Sequence, residues 1–342
     1  MINGHGNNLH AYKGKIKYDF SSNIACNHKS APILKYLETK LSCINNYPDP
    51  NVTELTDKIA AFHGVSPQQV LVTNGSAEAF YLLAHLYQQQ HTLICIPAFA
   101  EYEDACTLYR HELSFAALND FPTVELHPYK TVWLATPNNP DGYFTDKAVI
   151  RTVAEKYPDT TIILDEAYAG LCSGVHATST VHEPSNLISI HSLTKLFAIP
   201  GIRLGYIIAD EAVIAQLHEM RPPWSVNALS QEAGVFIMDH YETLLPDFKE
   251  LQVEVAFLVD AFTQLEGITV YPSSCNFFLC RLSKGTAADL KAFLIETHGI
   301  LIRDASNFRG LDTHCFRVAV QSREANEALI VAMHDAQSKG LI

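Results

Sequence analysis

The first two thirds of the chain alternate short apolar runs with segments of helical periodicity. The runs are rich in β-branched residues, and the segments between them repeat apolar residues every three or four positions. This alternation is typical of an α/β fold, in which helices cover an open, largely parallel sheet. The predicted strands are VLVTN (70–74), TLICIP (92–97), TVWLAT (131–136), TIILDEA (161–167), NLISIHS (186–192) and RLGYIIA (203–209).

Helices dominate the pattern after about residue 228. In the stretch DFKELQVEVAFLVDAF, apolar residues fall at steps of three and four and predict one buried helical stripe. Strand-like runs follow at 268–272, 276–282 and 315–320, which indicates a smaller α+β domain. A cleft between two closely joined domains is the default ligand site. The predicted division is an N-terminal arm (1–27) packing on the small domain and the active site, a large cofactor-binding domain (28–225) and a small domain (226–342).

Composition excludes several classes of partner. The net charge of −13 argues against nucleic acid or an anionic membrane, so an anionic ligand requires a local pocket of Arg and Lys. No signal-peptide core and no run of membrane-spanning length is visible. The 8 cysteines are scattered without a CxxC pair, which disfavours a zinc site and fits reduced thiols. We therefore expect a cytoplasmic protein without a metal site.

Gly75, Ser76 and Ala77 follow the first predicted strand and open a helical pattern. The free N–H groups at such a helix start would face a bound phosphate. An ordinary strand-to-helix turn with Ser76 as the N-cap explains the same residues. Taken by itself, this segment leaves both interpretations open.

Two further strand ends carry polar residues. The segment PNNPDG (137–142) holds two prolines, which stiffen the backbone and would aim Asn138 and Asn139 outwards, although a plain turn has the same composition. Asp165 and Glu166 follow four apolar residues. A carboxylate at that depth needs a partner, because burying it unpaired is costly. The partner would be a structural cation or a protonated ring nitrogen.

The stretch HSLTKLFAIPGIRLGY (191–206) places Lys195 between the hydroxyl residues Ser192 and Thr194 and an apolar run. No GxxxxGK precedes it, which excludes a P-loop. A desolvated lysine has a lowered pKa and a nucleophilic amine, as Schiff-base chemistry requires. Ser192 and Arg203 would hold a phosphate beside it. A phosphate cup, an aimed amide, a buried carboxylate and such a lysine together match pyridoxal 5′-phosphate.

Seven motifs carry a resemblance to a known family. They are NNYPDP (45–50), TNGSAEA (73–79), PAFAEY (97–102), TPNNPDG (136–142), LDEAY (164–168), SLTKLFAIPGIRLGY (192–206) and FRVA (316–319). Over nearly its whole length the chain resembles fold-type I pyridoxal-phosphate enzymes of the class II aminotransferase group. Asp141 departs from the usual Thr of the fourth motif, and TNGSAEA is less acidic than the turn common in relatives.

The resemblance implies roles around the cofactor ring. Lys195 matches the lysine that forms the Schiff base, and Asp165 matches the partner of the pyridinium nitrogen. Asn139 and Tyr168 match the pair that hydrogen-bonds the 3-hydroxyl. Phe99 matches the aromatic residue that stacks on the ring. Lys195, Asp165 and Tyr168 are thus the predicted catalytic residues.

The resemblance also implies how the phosphate is held. Tyr47 is similar to a tyrosine that reaches the phosphate of the neighbouring subunit, which implies a homodimer with composite active sites. The rest of the cup corresponds to Gly75, Ser76, Ala77, Ser192 and Arg203.

Other segments concern the substrate. They are HGNN (5–8), YDFSSNI (18–24), FAEY (99–102), RPPWSVNALS (221–230), LIR (301–303) and NFRGLD (307–312). They are similar to the threonine-phosphate decarboxylases of cobalamin biosynthesis, whereas histidinol-phosphate aminotransferases share the cofactor motifs and are the alternative. A cofactor-binding regulator is a third possibility, opposed by the acidic charge and the lack of a DNA-reading segment. The expected substrate ligands are His5, Asn23, Asn139, Arg303 and Arg317.

Overall fold

A computed structural model describes residues 9–12, 14–26, 30–172 and 184–342. Residue His5 lies outside the described residues. The strands are β1 (Tyr18–Asp19), β2 (Val70–Thr73), β3 (His91–Ile96), β4 (Glu112–Ala117), β5 (Thr131–Ala135), β6 (Thr161–Asp165), β7 (Leu187–Ser192), β8 (Gly205–Ile208), β9 (Ile268–Val270), β10 (Phe277–Leu282), β11 (Ile300–Leu301), β12 (Arg303–Asp304) and β13 (Cys315–Ala319).

The α-helices differ widely in length. They are α1 (Ala31–Lys40), α2 (Thr53–His63), α3 (Gly75–Leu86), α4 (Ala100–Leu108), α5 (Lys147–Lys156), α6 (Leu193–Leu196), α7 (Glu211–Met220), α8 (Ala228–Asp239), α9 (Tyr241–Leu244), α10 (Phe248–Thr263), α11 (Ala287–Phe293) and α12 (Arg323–Ser338). Short 3₁₀ helices cover Leu9–Tyr12, Leu41–Asn45, Pro67–Gln69, Leu118–Asp120, Ala169–Leu171 and Pro200–Ile202, and a π-helical turn covers Leu294–His298. Among the helices described, none is both long and apolar enough to cross a membrane.

The main sheet has seven strands in the order β2-β8-β7-β6-β5-β3-β4. All run parallel except β8, which is antiparallel to both of its neighbours. The predicted largely parallel sheet is therefore confirmed, and each of its six predicted strands overlaps an observed strand. Edge strand β4 was not predicted. Its residues are partly exposed along most of its length, so its sequence lacks a fully apolar run.

Both faces of this sheet are covered, which explains why the strands read as continuous apolar runs. Every residue of β5 and β6 is buried. Trp133 and Ile163 point into the core formed with α3, α4 and α7. Their neighbours Val132 and Leu164 point into the core formed with α5 on the opposite face. Since successive strand residues face opposite sides, apolar residues are needed at every position.

The second sheet is antiparallel, with the order β12-β13-β10-β9. It packs against α10, α11 and α12 through a core that includes Phe262, Phe278 and Met333. Helix α10 begins after Asp247, whose side chain accepts hydrogen bonds from the first free N–H groups of the helix. The apolar stripe predicted for α10 is confirmed, because Leu251 and Phe262 are among its buried residues.

A strap of chain, residues 17–25, links the four-stranded sheet to the helical turn that follows β7. Strand β1 pairs in parallel with β11, and Phe20 N–H donates to the Leu301 carbonyl at 2.7 Å. Farther along, Ala25 N–H donates to the Lys195 carbonyl at 3.1 Å. Strands β1 and β11 form a separate two-stranded sheet, and the Phe20 carbonyl accepts a hydrogen bond from Ala319 N–H of β13 at 2.8 Å. The strap therefore runs from β13 to the turn that holds Lys195.

Candidate active site

A cavity of about 220 Å³ lies at the carboxyl ends of the parallel strands, where ligands bind in open α/β sheets. A larger cavity of about 530 Å³, between α10 and the β9–β10 connection, is lined by none of the predicted site residues that the structure describes. The predicted residues that line the smaller cavity are Asn23, Ser76, Ala77, Phe99, Asn139, Asp165, Tyr168, Ser192, Lys195, Arg203, Arg303 and Arg317.

Lys195 lies in α6, the single helical turn that follows β7. Burial lowers the pKa of its amine to about 8, and the positive charges of Arg203 and Arg317 act in the same direction. The carboxylate of Asp165 opposes this shift. The amine is therefore substantially neutral near pH 8, which makes it a nucleophile for an aldehyde.

Asp165 is the last residue of β6 and is buried at the floor of the cavity. Burial raises the pKa of its carboxyl, whereas hydrogen bonds stabilise the ionised form. Tyr102 donates its hydroxyl to Oδ2 at 2.5 Å, and Ala167 N–H donates to Oδ1 at 2.9 Å. Sequence reasoning missed Tyr102. Its position three residues after Phe99, in the first turn of α4, was the available signal.

Backbones approach closely at the start of α3. Gly75 has φ of +75°, and a Cβ there would lie 2.5 Å from Nη2 of Arg203. A Cβ on Gly205 would lie 2.8 Å from the Ser76 nitrogen. The first N–H groups of a helix have no partner within it, so this tight cradle suits a phosphate. The helix begins at Gly75 with Asn74 in the N-cap position, so the interpretation of Ser76 as the N-cap is wrong.

The segment 137–142 positions one of its two asparagines in the cavity. Asn138 is buried and donates from Nδ2 to the Pro97 carbonyl and to Asp141 Oδ1, both at 2.9 Å. Asn139 is also buried, lines the cavity, and accepts a hydrogen bond from Nη1 of Arg317. The prediction that both amides point outwards is therefore wrong: Asn138 closes the turn, and Asp141 is the turn residue it binds.

Arg303 and Arg317 are direct partners on the antiparallel strands β12 and β13, so both side chains share one face of the sheet. They are only 7% and 5% exposed. Burial lowers the pKa of each guanidinium to about 10. Within the described part of the chain, neither forms an ion pair with a carboxylate. Two buried like charges without a carboxylate partner favour the binding of an anionic ligand.

The two arginines are held by neutral groups. Nη2 of Arg317 donates to the Ser21 carbonyl at 2.7 Å, and Nη2 of Arg303 donates to Asn307 Oδ1 at 2.8 Å. The Phe308 ring lies 5.2 Å from the Arg303 guanidinium. Asn307 and Phe308 also line the cavity but were not predicted as site residues. These contacts orient the guanidinium groups without neutralising their charge.

Buried polar atoms near the arginines leave hydrogen-bonding capacity for a ligand. Considering described residues only, Nε of Arg317 and both polar atoms of the Asn23 amide have no partner of normal geometry. The Asn23 amide is nevertheless close enough to Tyr168 to influence its pKa. Burial raises the pKa of Tyr168 to about 12, so its hydroxyl stays protonated as a donor. Phe99 lies half-buried at the cavity wall.

Among the described residues, Tyr47 and Gly75 were predicted at the site but do not line this cavity. Tyr47 is 84% exposed, and its ring contacts Trp224 with centroids 5.0 Å apart. It does not line the cavity within a single chain. His5 lies outside the described residues, so its predicted contact with the substrate remains a prediction.

The remaining residues fit pyridoxal 5′-phosphate. The cavity offers a lysine of lowered pKa for an aldehyde and a buried carboxylate for a ring nitrogen. It also offers a protonated tyrosine for a ring hydroxyl, and a cradle that requires glycine for a phosphate. Nε of Arg317 and Nδ2 of Asn23 have no hydrogen-bond partner of normal geometry among the described residues. These donors are available to a second anion.

Comparison with known proteins agrees with this site. The family described as aminotransferase class I and II matches residues 15–333. Threonine-phosphate decarboxylase from Salmonella typhimurium is 32% identical over 332 residues, covering 93% of this chain and 90% of that protein. The crystal structure of L-threonine-O-3-phosphate decarboxylase from Porphyromonas gingivalis matches with a TM-score of 0.90 and 36% identity, covering 93% of this chain and 99% of that one.

A second group of relatives has a different activity. Histidinol-phosphate aminotransferase from Caldanaerobacter subterraneus is 32% identical over 306 residues, covering 86% of this chain and 85% of that protein. The similarity covers at least 86% of this chain for both of these curated relatives. The chain therefore belongs to the aminotransferase class I and II family.

Proposed function

We propose that this enzyme uses pyridoxal 5′-phosphate to decarboxylate L-threonine O-3-phosphate, yielding (R)-1-amino-2-propanol O-2-phosphate in cobalamin biosynthesis. The observation that carries the proposal is the pair of buried arginines, Arg303 and Arg317, opposite each other at the cavity. The substrate has two anionic groups, a phosphate and a carboxylate, and a guanidinium binds either through a planar fork. The similarity to the decarboxylases from Salmonella and Porphyromonas supports this assignment.

Three residues would hold the cofactor ring and its proton. Pyridoxal 5′-phosphate, when bound, supplies an aldehyde for an amine and a ring that accepts the electron pair of the broken bond. Asp165 would hold the proton on the ring nitrogen, since its carboxyl group is buried and accepts hydrogen bonds from Tyr102 and Ala167 that favour its ionised form. Tyr168 and Asn139 would donate to the ring hydroxyl. Lys195, with a pKa of about 8, would release and return a proton near neutral pH.

The arginines would decide which substrate bond is broken. A transaminase and a decarboxylase differ in how they orient the substrate carboxylate, so its anchor sets the reaction. We propose that Arg303, Arg317 and Asn23 hold the phosphate and the carboxylate, together with His5. Asn307 would help by fixing the Arg303 fork. Buried, unpaired guanidinium groups bind anions strongly because water does not screen them.

Histidinol-phosphate aminotransferase is the second candidate, favoured by the 32% identity to the Caldanaerobacter enzyme. A direct assay distinguishes the two candidate activities. Release of carbon dioxide from threonine phosphate without any 2-oxo acid would support the decarboxylase. Efficient formation of glutamate from histidinol phosphate and 2-oxoglutarate, with no carbon dioxide released from threonine phosphate, would overturn it. A non-catalytic regulator gains no support, because the relatives described above are enzymes.

We also propose that the enzyme is a homodimer with composite active sites, in which Tyr47 reaches the phosphate of the neighbouring subunit. The exposure of Tyr47 and of the apolar residues before it in the chain supports this. The division at residues 27 and 225 is likewise a proposal. The two sheets have separate cores, and Ala233 and Ile237 of α8 pack with Leu55 of α2 in a third core. The cytoplasmic location remains a prediction.

A further inference from the structure

The hydrogen bond between Tyr102 and Asp165 joins the cofactor site to helix α4. The hydroxyl lies 2.5 Å from Oδ2, and Tyr102 is only 1% exposed. Its ring packs edge-on against Phe80 at 5.0 Å and against Phe99 at 6.1 Å. The ring is therefore fixed by aromatic neighbours, and the hydroxyl is aimed at one carboxylate oxygen.

The direction of this hydrogen bond is fixed as well. Burial and the negative charge of Asp165 raise the pKa of Tyr102 well above its ordinary value, so the phenol is neutral and donates. The donated bond favours the ionised form of Asp165, against the effect of burial. The second donor, Ala167 N–H, binds the other oxygen, Oδ1. Both oxygens are thus anchored.

We propose that Tyr102 is a positioning residue for the cofactor: it holds the Asp165 carboxylate ionised and correctly oriented, so that the carboxylate keeps the proton on the cofactor's ring nitrogen. The inference rests on the proposed use of pyridoxal 5′-phosphate, but it is independent of which substrate the enzyme takes. Without the phenol donor, the buried pair of carboxylate and ring nitrogen would shift towards its neutral form, with the proton on Asp165.

The experiment uses enzyme loaded with cofactor labelled with ¹⁵N in the ring, without substrate. In Tyr102→Phe the ring is kept and only the hydroxyl is lost. We expect the ¹⁵N resonance to move towards the unprotonated position and the Kd for the cofactor to rise about tenfold, as for the loss of a hydrogen bond to a charged group. Tyr157→Phe is the matched control. Tyr157 is 2% exposed, and its hydroxyl has no partner in the described residues and lies outside the cavity.

Asp165→Asn tests whether Tyr102 acts through the carboxylate. If it does, adding Tyr102→Phe to Asp165→Asn produces no further change in the resonance. A full additional shift in the double variant, or an unchanged resonance in Tyr102→Phe alone, would overturn the inference. An equal shift of the resonance in Tyr157→Phe would also overturn the inference, because it would show a general effect of losing a buried hydroxyl.

A second substitution protects the test against misfolding of Tyr102→Phe. Placing 3-fluorotyrosine at position 102 strengthens the donor, and the resonance should then move towards the protonated position. Movement in the opposite direction would contradict the inference. A wild-type protein that binds no cofactor would overturn the proposed function together with this inference, whereas normal binding with an unchanged resonance in both variants overturns the inference only.

Discussion

The protonation of Lys195 depends on its burial and on three neighbouring charges. Burial and the charges of Arg203 and Arg317 lower its pKa from 10.5 to about 8, and Asp165 limits the shift. Because the pKa is lower in the folded state, the unfolded chain binds more protons between about pH 8 and 10.5. The contribution of Lys195 to the free energy of unfolding of the cofactor-free enzyme should therefore rise with pH across this window.

The rate of cofactor binding should also depend on the protonation of Lys195. We expect the rate at which cofactor-free enzyme binds pyridoxal 5′-phosphate to rise with pH, with a midpoint near pH 8, because only the neutral amine reacts with an aldehyde. Stopped-flow absorbance measures this rate. Lys195→Ala should fold but lose both the reaction and turnover, whereas Lys284→Ala, at an exposed position, should behave as wild type. A midpoint near the ordinary value of 10.5 would contradict the assignment.

The cavity arginines should not tolerate lysine. Arg303→Lys and Arg317→Lys keep the charge but lose the planar fork, so we expect the Michaelis constant for threonine phosphate to rise about tenfold or more, with lower turnover. Arg281→Lys is the control, since Arg281 lies in the same sheet but pairs at the surface with Asp312. Steady-state kinetics of the three variants measure both parameters. Unchanged kinetics in both cavity variants would show that the pair does not bind substrate.

At the scale of elements, the start of α3 depends on the absence of a side chain at Gly75. A Cβ there would lie 2.5 Å from Arg203 Nη2, and φ is +75°. We expect Gly75→Ala to destabilise the fold by about 1–2 kcal/mol and to weaken cofactor binding, because it strains the backbone and displaces Arg203. Thermal unfolding and cofactor titration measure the two effects.

Gly201→Ala is the matched control for this variant. Gly201 belongs to the turn that leads to Arg203, and a Cβ there would meet nothing within 4 Å. It should bind cofactor as wild type does. Equal losses in the two variants would mean that the cradle at Gly75 has no special role.

The strands that were predicted well from the sequence are those in which every residue is buried. Strands β5 and β6 are buried at every residue, so their apolar runs stand out. Strands β1 and β12 are two residues long, too short for any periodicity to be visible. The edge strand β4 is partly exposed and also escaped prediction. A strand can therefore be recognised in the sequence when it is several residues long and buried along its whole length.

The same reasoning applies to the site. Lys195, Asp165 and Asn139 were predicted because each stands in a local motif at a strand end. The contact between Tyr102 and Asp165 joins residues that are 63 positions apart and depends on how α4 packs on the sheet. Asn138 was misassigned because composition does not reveal that its amide closes its own turn. A contact that depends on how distant elements pack cannot be predicted from a local sequence pattern.

At the scale of the whole molecule, large apolar side chains are exposed along one continuous stretch. Leu34 and Leu41 are each 53% exposed, Ile44 is 65% exposed and Tyr47 is 84% exposed. They belong to α1, the following 3₁₀ helix and the segment after it. Apolar residues clustered in this way mark a protein interface more often than scattered ones do. This stretch is the surface that the proposed homodimer would bury.

Charge introduced in that stretch should prevent assembly. We expect Ile44→Glu to give a monomer with weakened cofactor binding, because a buried, unpaired carboxylate disfavours an apolar interface. Val331→Glu is the control, since Val331 lies on α12 and is also 65% exposed. Analytical ultracentrifugation measures the assembly state. The same state in both variants would show that the stretch around Ile44 is not the interface.

A mixing experiment tests whether the sites are shared between subunits. Tyr47→Ala should bind cofactor weakly, and Lys195→Ala should be inactive, but each variant lacks a different component of the site. If Tyr47 serves the neighbouring subunit, a mixed dimer contains one site with both Lys195 and Tyr47 intact. At a cofactor concentration too low to saturate Tyr47→Ala, the mixture should therefore be more active than either variant measured separately. Activity equal to the average of the two, in samples shown to have exchanged subunits, would place Tyr47 outside the partner's site.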